Sequence, residues 1–423
     1  MALNLYEAAR ISRNPYARGV LLSVATDNEV MARLPWKVEA GSAFSYSREG
    51  TLADVEFVSP THTSLIESTT TFDRVTVPLR LIDSDFDVYN YTANQTDPNG
   101  DPWQIQLAKK LKALGRKLQQ KMITGGWGTG FLVSGAGASP GAAVTAVTQG
   151  PLLDSPLLGP GALKYTQSGT SWQFRAPGDR TFGPPVAAPT NGAYTLVSDN
   201  PSKYITVTLT VANATADGEC SINFTSSTNE PDGLLKLIPP SQVIASVGAN
   251  GDTLSFDILD RLYFEKVKVK TNLAYLMNAS LKRRYLSLVR SAAGGLMPEQ
   301  LALPVLGMDG RDTTVMVPQY NGIPILQVDD IPNVESKGGS SNLSSVFLAS
   351  LSEDEGFWAV AQQNGTAMDS ELSPFKSRIM GVKVYDVGQV ETKAARRTRV
   401  EWFGAFALGS TLAAARASEI QTA

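Results

Sequence analysis

Few residues in this chain could do chemistry. One histidine, His62, and one cysteine, Cys220, occur in 423 residues. A Ser/His/Asp or Cys/His nucleophile needs a histidine as its base. His62 stands between Thr61 and Thr63 in an extended run, where a surface histidine is expected. Cys220 lies between Glu219 and Ser221 in an expected strand, the setting of an inert packing thiol. With one of each, neither a disulfide framework nor a Cys/His zinc cluster can be built. Carboxylates recur at Asp83-x-Asp85-x-Asp87, Asp329-Asp330 and Glu353-Asp354-Glu355. The first set alternates, so on a strand it shares one face, but the glycine and distal glutamate of a calcium loop are missing. Arg396-Arg397-x-Arg399 could touch phosphates without sequence readout, or pair with neighbouring carboxylates. Gly125-Gly126-Trp127-Gly128-Thr129-Gly130 follows a helical pattern instead of opening one, and no Gly-Lys-Ser/Thr accompanies it, so it is no phosphate loop. No catalytic, metal or cofactor site is expected.

Composition points to assembly. The chain is 43% hydrophobic and 18% charged, with 37 basic and 40 acidic residues and a formal charge of -3. That is too apolar for a disordered chain and long enough for two or three domains. The near-neutral balance asks for neither a nucleic-acid nor a membrane partner in bulk. A charged fraction below the roughly 25% usual in soluble domains leaves polar surface scarce, as expected where partners cover it. Met1 to Glu7 lacks a basic segment leading into an apolar core, and no run approaches the ~18 apolar residues of a span, so synthesis in a reducing cytoplasm and no membrane contact are expected.

The elements that must carry these residues follow from periodicity. Residues 1–35 read as an arm with helical patches, ending at Leu34-Pro35-Trp36. Residues 36–88, rich in Thr, Val, Phe and Ser, read as two long strands joined by a loop, a ribbon that needs something to lie on. Asp101 as N-cap, Pro102 at the first position and Gly125-Gly126 at the end bound one long helix within 89–126. Its stripe is Leu107, Leu111, Leu114, Leu118 and Met122, with Lys109, Lys110, Lys112, Arg116, Lys117 and Lys121 around it. Residues 127–247 are dense in Gly, Pro, Ser and Thr and read as an inserted small β domain, with strands at Tyr194 to Val197, Tyr204 to Val211 and Ser221 to Thr225. Residues 248–380 return to α+β: a helix near Ser255 to Leu262, a strand at Lys266 to Thr271, and a helix from Ala279 to Arg290 capped by Asn278. An extended segment then ends at Pro318, and Ser336 to Ser345 reads as flexible. Residues 381–423 hold returning strands, among them Lys393 to Phe403 with its charges outward.

That order of arm, ribbon, long helix and returning α+β core resembles the major capsid proteins of tailed bacteriophages, with the Hong Kong 97 capsid fold. The run Tyr320-Asn321-Gly322-Ile323-Pro324-Ile325-Leu326-Gln327-Val328-Asp329-Asp330-Ile331-Pro332 and the segment Val390-Glu391-Thr392 to Phe406 are similar to family segments. The resemblance implies a peripheral domain built on the long helix, an axial domain within 248–380, and an extended loop holding Arg48, Glu49, Glu56 and Glu67. Those residues, with Arg74, Lys109 and Arg116, are then the expected inter-subunit contacts. It implies a non-enzymatic subunit without cofactor that assembles with itself as hexamers and pentamers of an icosahedral shell. A portal, a possible decoration protein and non-specifically contacted double-stranded DNA would be its other partners. Barely a hundred residues precede the helix, so a separate scaffolding protein is expected. An encapsulin-like nanocompartment shell is the alternative, and the scarcity of cysteine and histidine points to a thermophilic, Thermus-type host.

Overall fold

The computed structural model describes residues 29–39, 41–49, 72–93, 102–125, 127–133, 148–151, 161–165, 171–175, 180–187, 191–197, 204–210, 218–224, 230–292, 300–306, 312–333, 335–337, 340–362 and 382–422. His62, Glu56 and Glu67 lie outside them. The fold is α+β, built on a five-stranded, an eight-stranded and a nine-stranded sheet and a separate two-stranded ribbon.

The long helix spans Pro102–Thr124, 23 residues and roughly 35 Å at 1.5 Å per residue. Leu107, Leu114, Leu118 and Met122 of the expected stripe are buried in one core with Phe86, Val88, Val400 and Trp402 of the five-stranded sheet. Trp103 adds a directed contact, its indole N–H donating to the Thr398 hydroxyl at 2.8 Å. In that sheet Ala395–Leu408 pairs antiparallel with Arg80–Tyr89, Val382–Gln389 and Phe357–Gln362. Trp36–Glu39 runs parallel to Phe357–Gln362. Among its described residues, region 36–88 holds four strands where composition suggested two: the outer pair joins the sheet, and Ala43–Glu49 and Phe72–Pro78 form the ribbon.

The inserted region forms the eight-stranded sheet, including Asn191–Val197, Tyr204–Thr210 and Gly218–Phe224, the last carrying Cys220. The chain is back in the main fold before 247: Leu234, Leu235 and Ile238 sit in the core under the long helix, and Ile244 in that of the nine-stranded sheet. The neck is narrow. Gly233 N–H donates to Gly125 O at 2.7 Å, and a Cβ on Gly125 would lie 2.1 Å from Pro231 O. Only glycine allows these two backbones to cross so closely. The Lys121–Glu230 ion pair at 2.6 Å closes the same neck.

The nine-stranded sheet carries one sequence feature as expected and adds a turn that was not. Asn278 accepts from Leu281 N–H at 2.9 Å and starts the helix Ala279–Ala292. Asn321 and Gly322, at φ +54° and +75°, make the tight turn between Asp312–Tyr320 and Ile323–Gln327. Two expectations are corrected. Lys266 to Thr271 is not a strand: Lys266 ends the helical turn Leu262–Lys266, Val267 N–H donates back to Leu262 O, and Thr271 enters a turn. Among the described residues Lys268 N–H reaches Leu412 O, so no ladder forms. The stretch 336–345, read as flexible from its Ser and Gly content, is instead largely paired: Glu335–Lys337 lies against Ser340–Ser350 with a register shift. Ser344 and Ser345 are fully buried because their hydroxyls find partners, Ser344 with Asn278 and Pro332 O, Ser345 with Glu335 and Arg416.

Candidate assembly interface

The ribbon is the element with the least of its own fold to lie on. In its register Phe44 opposes Val77 and Tyr46 opposes Val75, and directly opposed residues share a face. That face packs at the ribbon base on Trp358, Val360, Ala405 and Ala407. Tyr46 is the anchor, its ring edge-on to Trp358 with centroids 5.3 Å apart and its hydroxyl donating to Leu408 O at 2.8 Å. Burial raises its hydroxyl pKa, so it stays a neutral donor. The other face is short and polar: Ser45 and Thr76 bond each other at 2.9 Å and are exposed, as are Ser47 and Arg74.

The predicted contact residues fall in two places. Arg48 is half-buried at the last described turn of the ribbon, Glu49 pairs by backbone with Phe72, and Arg74 is exposed opposite Ser47. Lys109 and Arg116 are exposed on the long helix, away from its buried stripe. Ribbon and helix residues are thus not one cluster. Arg116 lies near the acidic pair after Ile323–Gln327: burial and then Asp329 raise the Asp330 carboxyl, and Arg116 partly opposes them.

Two motifs that looked separate in sequence neutralise each other. Asp85 and Asp87 stand opposite Arg399 and Arg397 on adjacent strands. Both pairs are bidentate, Arg399 to Asp85 at 2.6 and 2.8 Å and Arg397 to Asp87 at 2.7 and 2.9 Å. Arg396 turns the other way, onto Asp386. These hydrogen bonds hold the Asp85, Asp87 and Asp386 carboxyls below the ordinary range. Asp85 and Asp87 of the acidic triplet thereby form a cross-strand ladder with arginines, while Asp83 stands opposite Glu401, and among the described residues no group of three or more His, Cys, Asp or Glu could hold a metal ion. The ladder occupies the sheet face opposite the helix, with Leu81, Asp83 and Tyr89 exposed beside it.

Sequence reasoning missed two buried polar groups. Arg416 donates to Ser345 at 2.8 Å and to Glu335 at 2.6 Å; Glu335 also accepts from Glu419 N–H, and Glu419 from Ser246 at 2.8 Å. Single charged residues within apolar strands were the available signal, but their partners lie far away in sequence. The second group is aromatic: Tyr320 stacks on Phe256 with centroids 5.5 Å apart and donates to Asp260 at 2.9 Å, while Tyr275 donates to Leu259 O. Burial raises the pKa of both hydroxyls far above their usual value, which fits packing and not proton transfer. Among the described residues no helix is long and apolar enough to cross a membrane.

No protein-family model matches this sequence, and no curated protein matches it. In architecture the chain is similar to the SrpI encapsulin in the holo complex from Synechococcus elongatus PCC 7942, with a TM-score of 0.48, 11% identity, and 92% of this chain and 86% of that one covered. It is also similar to the capsid of the native GTA particle, at 0.45, 10% identity, 95% and 91%. A chain of the satellite phage P4 procapsid that includes the size determination (Sid) protein gives 0.43, 9% identity, 95% and 90%. With about one residue in ten identical, no residue-level role transfers from any of them.

Proposed function

We propose that this chain is a shell-forming structural subunit of the Hong Kong 97 capsid type, and that it builds the icosahedral head of a tailed phage from hexamers and pentamers. The observation that carries the reading is the ribbon Ala43–Glu49/Phe72–Pro78, which is a two-stranded sheet of its own and packs on the chain at its base. A ribbon of two strands is at best marginally stable in water, so neighbours complete it. The long helix covering one face of the five-stranded sheet suits the same role, because such a thin layer gains its remaining burial between subunits. Arg48, Glu49, Glu56, Glu67 and Arg74 would set register there; exposed pairs contribute only ~0.2 to 1 kcal/mol each. A scaffolding protein, a portal and a decoration protein are the accessory partners of this reading. The inserted sheet would meet neighbours or the decoration protein, and a thermophilic host rests on composition alone.

Sedimentation tests this. The full chain, alone or with a scaffolding partner, is expected to enter large particles, and a variant with residues 50–71 replaced by a short Gly-Ser turn is expected to stay small. If both sediment as monomers in every condition, the proposal fails. Particle contents separate the two kinds of shell: nuclease-protected double-stranded DNA marks a phage head, and co-purifying cargo protein marks an encapsulin.

A further inference from the structure

The layer formed by the long helix and the five-stranded sheet has two unlike faces. The helix PWQIQLAKKLKALGRKLQQKMIT contains no Asp or Glu. Burial of Leu107, Leu114, Leu118 and Met122 fixes its rotation, so Lys109, Lys112, Arg116 and Lys117 are held outward, with Lys110 half-buried beside them. Lys121, at the helix end, is engaged by Glu230. Counting Asp329 and Asp330 near Arg116 against it, the face has five cations to two carboxylates. On the opposite side Asp85 and Asp87 meet Arg399 and Arg397, Glu401 lies 3.9 Å from Arg399, and Asp83 stands opposite Glu401. The small net charge of the chain therefore conceals a layer that is positive on one side only.

The four exposed cations from Lys109 to Lys117, nine residues, span about 12 Å of axis, a mean step of ~4 Å. One strand of duplex DNA carries one phosphate per ~3.4 Å. Among the residues whose side chains are described, the rest of the exposed surface is Gln106, Ala113 and Gln120, none of them the aromatic or aliphatic anchor on which protein docking depends. We infer that this helix face binds the sugar-phosphate backbone of packaged double-stranded DNA and so marks the inner side of the shell; the inference rests on the shell reading above.

The test uses the full chain before assembly and a short DNA duplex, with the dissociation constant followed as salt is raised. Each phosphate contact contributes about -0.9 to the slope of log affinity against log salt, so a slope near -3 to -4 is expected. Lys109→Gln/Lys112→Gln/Arg116→Gln/Lys117→Gln is expected to weaken binding more than about tenfold at low salt and bring the slope near zero. The milder Lys109→Gln/Lys117→Gln, which guards against misfolding, should halve the slope, and Arg283→Gln/Arg290→Gln, on an exposed helix elsewhere, should leave it unchanged. Binding by either helix variant that equals the parent overturns the inference, as does equally effective competition by polyglutamate at matched charge, which would make the occupant an acidic protein. Imaging the same samples keeps the two readings apart: closed shells with DNA binding lost support both, whereas absence of shells from the parent is a failure of the shell reading, independent of the binding result.

Discussion

Arg399 meets Asp85 at 2.6 Å on the open face of the five-stranded sheet, and Arg416 meets Glu335 at 2.6 Å inside the nine-stranded one. The chemical groups are the same and their surroundings are not. Arg399 and Asp85 keep about a third of their side-chain surface in water, so solvent already screens them and a docking neighbour can take either one over. Arg416 and Glu335 are below a tenth exposed, and Ser345 and the Glu419 N–H add hydrogen bonds to the pair. The nine-stranded sheet encloses its ion pair, while the five-stranded sheet leaves its own partly in water.

The contrast can be broken most strongly at its buried end. Arg416→Met leaves Glu335 as an uncompensated buried charge and is expected to cost ~3 to 5 kcal/mol in denaturant unfolding, whereas Arg399→Met should cost ~1 kcal/mol or less. Equal losses would erase the distinction. Next in size is the neck of the insertion: Gly125→Ala forces a Cβ onto Pro231 O and should cost about 2 to 3 kcal/mol. Excising 127–229 with a short Gly-Ser link, by contrast, should leave the melting of the remaining chain nearly unchanged. Tyr46→Ala removes the ribbon anchor from Trp358 at a cost of about 2 kcal/mol. It should abolish particle formation while circular dichroism stays that of the parent, since the ribbon is peripheral to both main cores.

The smallest effect is titration of the ladder. Asp85, Asp87 and Asp386 have folded-state pKa values below the unfolded value near 3.9. Their contribution is therefore complete above about pH 4 and is lost as pH falls through the depressed folded-state values. Replacing Asp85 and Asp87 by Asn should flatten the acid limb of the stability curve, an effect that fades at high salt.

What could be read from sequence divides along the same line. The long helix was legible because its start, stop and stripe are all local: Pro102, the glycines after Thr124, and leucines at steps of three and four. Asn278 as a cap was legible for the same reason. The acidic triplet and the arginine cluster were visible as motifs, but their pairing joins positions more than 300 residues apart, which periodicity does not reveal. Ser344 and Ser345 looked like linker because polar residues read as exposed unless their hydrogen-bond partners are known. Lys266 to Thr271 alternates as a strand does, yet lacks a neighbour to pair with. The return from the insertion was misjudged because Leu234 and Leu235 follow directly on a Pro-Asp-Gly turn, within a composition that still resembles the inserted region.

Electron microscopy of the purified full chain, with and without a co-expressed scaffolding partner, tests the central claim most directly. The account predicts closed icosahedral shells in which the ribbon of each subunit lies on its neighbour. Dispersed monomers under every condition would contradict it.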